Sequence, residues 1–144
     1  MGTLLVRDTE LASTLRISVM RLARRLRAER AETGLTLTQL STLAALERHG
    51  PSSPGVLAEL EKVQPPSMTR IVTSLENRGL VARSAHPTDG RQVVVSATAD
   101  ARELLRADRR RREEWLSRQL AEMTPDERES LRAVAPLLER LAGT

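Results

Sequence analysis

With 144 residues the chain is long enough for one domain with its own core and too short for two. It carries 23 Lys+Arg against 19 Asp+Glu, a formal net charge of +4, and no cysteine, which excludes disulfides, thiolate-ligated zinc and thiol redox switching. One Trp and no Phe or Tyr leave a core of Leu, Val, Ile, Ala and Met, and remove the stacking platforms of single-stranded nucleic-acid binders.

Residues 1–7 are expected to fray. Asp8 or Thr9 can cap a first helix running to about Glu32, with Leu11, Leu15, Val19, Leu22 and Leu26 along one side, and Gly34 breaks it. Thr36-Leu37-Thr38-Gln39 fits a capping box opening a second helix, with Leu40, Leu43, Ala44 and Leu46, that stops at Gly50-Pro51. Ser53-Pro54 then supplies an N-cap and a proline at the first position of a short third helix carrying Val56, Leu57 and Leu60.

The fourth helix starts at Pro65-Pro66, with apolar residues at 68, 71, 72 and 75 on one face. Ser67, Arg70, Thr73, Ser74 and Asn77 lie opposite, and Gly79 ends the helix where a left-handed residue is needed. A short helix, a tight turn and a longer helix with a polar outer face have helix-turn-helix spacing. Leu80–Ser84 and Gln92–Ser96 read as strands flanking the turn Pro87-Thr88-Asp89-Gly90, with Arg91 directly after it. A helix that fits a groove, followed by a hairpin with an arginine at its tip, is how a winged helix-turn-helix grips duplex DNA.

Thr98 caps a long fifth helix with Leu104, Leu105, Trp115, Leu116, Leu120 and Met123, and Thr124-Pro125-Asp126-Glu127 opens a sixth with Leu131, Val134, Leu138 and Leu141 in register. Pro136 should kink that helix or loosen a turn. The long terminal helices have nothing in so short a chain to cover all their apolar faces. A second copy is the simplest cover, and a two-fold dimer then meets two half-sites of a pseudo-palindromic operator. The expected fold is mainly α with a small β-hairpin wing: a winged helix-turn-helix of six helices dimerising through its N- and C-terminal helices. The division is a single domain, 1–144, with dimerisation helices at 8–32 and 98–142 and a DNA-binding region at 36–96.

In this arrangement the chain resembles the MarR family of bacterial transcriptional regulators over nearly its whole length. The resemblance rests on Leu35-Thr36-Leu37-Thr38-Gln39, Leu57-Ala58, Ser67-Met68-Thr69-Arg70, Leu75-Glu76-Asn77-Arg78-Gly79-Leu80-Val81-Ala82-Arg83 and the wing segment Pro87-Thr88-Asp89-Gly90-Arg91. It implies that the fourth helix enters a major groove and that Arg91 reaches the neighbouring minor groove, held by Asp89. It also implies a homodimer joined through the terminal helices, from which DNA is released when a small organic effector binds. Where the family usually has Leu-Thr followed by glycine, this chain has Ala97, Thr98 and Ala101.

The candidate DNA-binding residues are therefore Ser67, Thr69, Arg70, Thr73, Ser74, Arg83, Asp89 and Arg91. Each has a plainer reading. Arg91 can be a solvated hairpin arginine paired with Asp89, and Arg70 can pair with Glu76 or another helix. Arg83, beside the recognition helix, fits a phosphate better than a base, and Asn77 and Arg78 fit a surface role as well as a contact. Arginines crowd residues 16–30, 70–91 and 102–112, and such patches attract phosphate. Lys62 is the only lysine, and high-GC coding accounts for that bias better than phosphate chemistry does. The Arg109–Arg112 run fits a solvated face balanced by Glu113 and Glu114. Trp115 fits a dimer core or a pocket wall.

His49 and His86 are isolated, so neither a metal nor a cofactor is expected, and no nucleophile, phosphate loop or paired carboxylates support an enzyme. No apolar run reaches membrane-span length and no signal-peptide pattern opens the chain, so a cytoplasmic protein without membrane partners is expected. The expected function is sequence-specific binding of double-stranded DNA as a transcriptional repressor. The alternatives are a constitutive or architectural DNA binder and, from another class, a helical protein–protein adaptor.

Overall fold

A computed structural model describes the backbone of residues 2–143 and the side chains from Val6 onward. The order is α1 (Gly2–Ala28), α2 (Leu37–His49), α3 (Pro54–Glu61), α4 (Pro65–Asn77), β1 (Val81–Ala85), β2 (Val93–Ala97), α5 (Ala99–Ala121) and α6 (Pro125–Ala142). This is the mainly helical, hairpin-bearing architecture expected from the sequence.

The capping residues act as their chemistry dictates. The Thr36 hydroxyl accepts from the Gln39 amide at 3.1 Å while Gln39 Oε1 accepts from the Thr36 amide at 2.8 Å, and Thr124 and Glu127 repeat this reciprocal pair at α6. Ser53 Oγ accepts from Val56 N at 3.2 Å, and Thr98 Oγ1 from Ala101 N at 3.3 Å. The Ala97-Thr98-Ala101 departure therefore leaves the start of α5 capped, and Ala101 is fully buried. α6 runs unbroken through Pro136, which removes one amide from the ladder without ending the helix.

Both helices of the helix-turn-helix end in the same motif. The Leu80 amide reaches back to Leu75 O at 2.9 Å and the Gly79 amide to Glu76 O at 2.9 Å, with Gly79 at φ +71. At the end of α3, Val63 N bonds Ala58 O at 3.0 Å and Lys62 N bonds Glu59 O at 3.2 Å, but the left-handed position is a lysine, Lys62, at φ 53. A side chain there costs about 1–2 kcal/mol of local strain.

Three elements, α1 and the two strands, differ in their bounds from the sequence expectation. α1 begins at Gly2, so Asp8 and Thr9 lie inside the helix, because no proline or glycine interrupts residues 3–28. Fraying was expected for residues 1–7; of these Met1 lies outside the described residues and 2–7 are helical. α1 ends at Ala28, four residues short of Glu32, through tight turns from Glu29 N to Leu26 O and from Arg30 N to Arg27 O. Ala31 N then bonds Asp108 Oδ1 at 3.0 Å. The two strands each start and end one residue later than expected and pair antiparallel, with Val81 opposite Ala97 and Ala85 opposite Val93. Ser52 adds an unforeseen isolated antiparallel bridge to β2, exchanging backbone bonds of 3.0 and 2.8 Å with Val95.

The chain divides into two compact units, residues 31–109 and residues 1–30 with 110–144. The first contains the buried core: Leu43, Leu57, Met68, Val72, Leu75 and Val95 are fully enclosed, and Ala101 and Leu105 of α5 join them. In the second, the Arg25 guanidinium sits 4.9 Å over the half-buried Trp115 ring, a cation–π contact. No described helix is long and apolar enough to cross a membrane.

Candidate nucleic-acid interface

α4 is amphipathic in the sense its sequence requires. Met68, Val72 and Leu75 are buried against the core, while Ser67, Thr69, Arg70, Thr73 and Asn77 are exposed. An open hollow of about 430 Å3 on the outer face is lined by Thr69, Arg70, Thr73, Ser74, Asn77 and Arg78. Five of the expected contact residues are therefore on one helix, four of them around one depression.

The helix N-terminus is unusual in what it withholds. Pro65 and Pro66 have no amide hydrogen, and the Ser67 and Met68 amides both bond Gln64 O, at 2.9 and 3.1 Å. No backbone donor among these four residues is left to cradle a phosphate, as helix starts commonly do. Anions approaching this end must be met by side chains. The Thr69 hydroxyl meanwhile bonds back to Pro65 O at 3.1 Å.

Polar ties hold α4 in place, and the sequence did not reveal them. Gln39 Nε2 donates to Ser74 Oγ at 2.9 Å, which turns that hydroxyl toward α2. Arg78 Nη2 donates to Thr33 O at 2.6 Å, anchoring the far end of the helix to the loop before α2. Arg83 of β1 forms an ion pair with Glu76 at 3.2 Å and donates to Thr73 Oγ1 at 3.0 Å, clamping the strand to the helix. Ser74, Thr73 and Arg83 thus have structural partners besides any DNA contact. Glu76, named as a plainer partner for Arg70, is paired with Arg83 instead.

The hairpin tip is built by side chains capping its backbone. Asp89 Oδ1 accepts from the Arg91 amide at 3.1 Å, and no Asp89–Arg91 guanidinium pair is present among the described residues. Asp89 therefore holds Arg91 by its backbone and leaves its side chain free. The Arg70 and Arg91 guanidinium groups have no intramolecular partner among the described residues. Arg109, by contrast, pairs with Glu47 of α2 at 2.7 Å rather than with its helical neighbours Glu113 and Glu114. No group of three or more His, Cys, Asp or Glu side chains converges among the described residues.

The family model described as MarR family matches residues 35–93, the stretch from the α2 capping box to the start of β2. An HTH-type transcriptional regulator of Mycobacterium bovis is 47% identical over 131 residues, covering 91% of this chain and 92% of its own length. The HTH-type transcriptional repressor MdtR of Bacillus subtilis is 31% identical over 93 residues, covering 62% of this chain and 60% of its own. A crystal structure of a transcriptional regulator protein from Pseudomonas aeruginosa superimposes with a TM-score of 0.85 at 36% identity, over 96% of this chain and 98% of that one. With six helices and an antiparallel hairpin among its described residues and this kinship, the chain belongs to the MarR family of DNA-binding transcriptional regulators.

Proposed function

We propose that this protein is a homodimeric repressor that reads a pseudo-palindromic operator in double-stranded DNA. Each protomer is one domain, with residues 36–96 binding DNA and the terminal helices joining the copies. α4 lies in the major groove with Ser67, Thr69, Arg70 and Thr73 toward the bases and backbone and Ser74 beside them, its hydroxyl held by Gln39, and Arg91, set by Asp89, enters the adjacent minor groove. Arg83 faces phosphate while bracing α4. The observation that carries the reading is the pair of unpartnered arginines. Arg78 and Arg83 are consumed within the fold, whereas Arg70 and Arg91 project from the polar helix face and the hairpin tip.

The repressing sense is supported by the kinship with MdtR, named as a repressor. Release by a small organic effector is the mode of induction compatible with a chain that has no cysteine. Diamide, which oxidises thiols, should leave DNA binding intact, since only slow methionine oxidation remains open to oxidants.

The deciding experiment is titration of Arg70→Ala and Arg91→Ala on two duplexes, one selected from a random pool for tightest binding and one of random sequence. Arg91 faces a groove whose base pattern is degenerate, so Arg91→Ala should weaken both duplexes alike and lower the salt slope by about one phosphate equivalent. Arg70→Ala should narrow the gap between them by ~1–3 kcal/mol, the worth of one bidentate base contact. If Arg91→Ala leaves every affinity unchanged, the hairpin is not a DNA-binding wing and the reading fails.

A further inference from the structure

His86 has no place in the contacts above, yet the hairpin tip is organised around it. Its half-buried ring turns Nδ1 inward, where the backbone amides of Thr88 and Asp89 both donate at 3.2 Å and the Thr88 hydroxyl lies at 3.1 Å. A nitrogen that accepts from two backbone amides carries no proton, so the neutral tautomer protonated at Nε2 is the one compatible with this geometry. The ties continue toward the arginine. His86 N donates to Gln92 O at 3.0 Å, Gln92 N to Asp89 O at 3.1 Å, and the Asp89 carboxylate receives the Arg91 amide at 3.1 Å. The side chain of His86 fixes residues 88 and 89, residue 89 fixes residue 91, and residue 91 carries the free guanidinium.

We propose that His86 is the positioning residue of the hairpin: as a neutral acceptor at Nδ1 it holds the tip in the shape that presents Arg91 to DNA, and its protonation releases that shape. The proposal rests on the reading of the hairpin as a DNA-binding wing. A proton on Nδ1 turns the acceptor into a donor that only the Thr88 hydroxyl can receive, so both amides lose their partner at once. The sign follows directly: acidification loosens the tip and weakens binding. The charged groups on this hairpin are Arg83, Asp89 and Arg91, and no charged side chain of another element is bonded to His86 among the described residues. The other histidine, His49, is exposed at the end of α2 and serves as an internal control.

Asparagine separates this role from bulk or charge, because its Oδ1 stands close to where the imidazole Nδ1 stands and does not titrate. The measurement is affinity for a random-sequence duplex at about pH 8 and about pH 5.5, the span over which histidines ordinarily change charge. The proteins compared are wild type, His86→Ala, His86→Asn, His49→Gln and Arg91→Ala. The Thr88 and Asp89 amide resonances of the DNA-free protein are followed in parallel.

Wild type and His49→Gln should lose about fivefold more affinity on acidification than His86→Asn does, and His86→Ala should be about fivefold weak at both pH values, the worth of roughly one net hydrogen bond. The two amides should shift with pH in wild type and stay still in His86→Asn. The proposal is overturned if His86→Asn follows the wild-type pH response, if the two amides ignore pH, or if His86→Ala binds as wild type does while Arg91→Ala is weak. That last pattern leaves the wing standing without its histidine. A silent Arg91→Ala removes the wing, and the positioning role with it. Affinity that rises on acidification through His86 makes the imidazolium a phosphate contact and likewise overturns the proposal.

Discussion

Residues 31–109 and the terminal helices solve the same problem in opposite ways. The first region encloses Leu43, Leu57, Met68, Val72 and Leu75 completely within its own chain. The second encloses almost nothing: no described side chain of α1 or α6 is buried, and Leu11, Met20, Leu22, Leu131, Leu137 and Leu141 are each more than two-fifths exposed. Apolar stripes of this extent mark surfaces that associate. The DNA-reading half therefore carries its own core, while the terminal half presents one side of an interface, and the proposed homodimer supplies the other.

Truncation separates the two regions most directly. Removing residues 124–144 should yield a monomeric or aggregated product. Because two half-sites are then no longer held together, affinity for the selected duplex should fall about 100-fold or more. A soluble truncation that stays dimeric in sedimentation would show that α6 is no part of the interface.

Paired substitutions distinguish the enclosed region from the exposed one. Leu57→Ala empties a fully enclosed site and should cost about 2–5 kcal/mol of unfolding free energy, independent of protein concentration. Leu138→Ala lies on an exposed stripe, so its cost should appear as a shift of melting temperature with protein concentration and as weaker dimerisation. Chemical denaturation across a concentration series distinguishes the two. Equal, concentration-independent losses would erase the contrast.

A smaller effect probes the self-sufficient half alone. Gly79→Ala meets no atom within 4 Å of a built Cβ, so only the left-handed backbone opposes it, at about 1–2 kcal/mol. Lys62→Gly at the matching position after α3 should move the other way, raising stability by up to about 1 kcal/mol as the same strain is relieved. If both changes destabilise equally, the shared helix-ending motif is not the source of either effect.

What the sequence disclosed follows the same divide between local and distant causes. The caps of α2, α3, α5 and α6, the glycines that end α2 and α4, and the polar face of α4 depend on residues a few positions apart, and the structure has these where the pattern predicts them; the cap expected at Asp8 or Thr9 and the break expected at Gly34 are not the ends of α1. The Ala31 amide, just past α1, is bonded by Asp108, 77 residues away, and no local pattern encodes that contact. The Ser52–Val95 bridge is too short to leave an alternation signal. In the candidate interface, which residues face outward was readable from helical spacing. That Ser74, Thr73 and Arg83 are bonded within the fold was not, because it turns on side-chain rotamers meeting across elements. His86 was read as an isolated histidine, and its partners are backbone amides, which no sequence motif displays.

The Arg83 clamp on Thr73 and Glu76, with the fixed turn at Gly79, has a consequence for how the protein can change over time. Helix α4 and the hairpin form a ruler whose length and phase are set by the few residues between them. A single insertion before Arg83 in β1 would turn the following side chains of the strand to the opposite face and strip α4 of its brace. Point substitutions at Ser67 or Arg70, which take no part in the clamp, disturb neither. New target sequences are therefore accessible through residues such as Ser67 and Arg70 one at a time, whereas the span from groove-reading helix to wing is inherited as a unit.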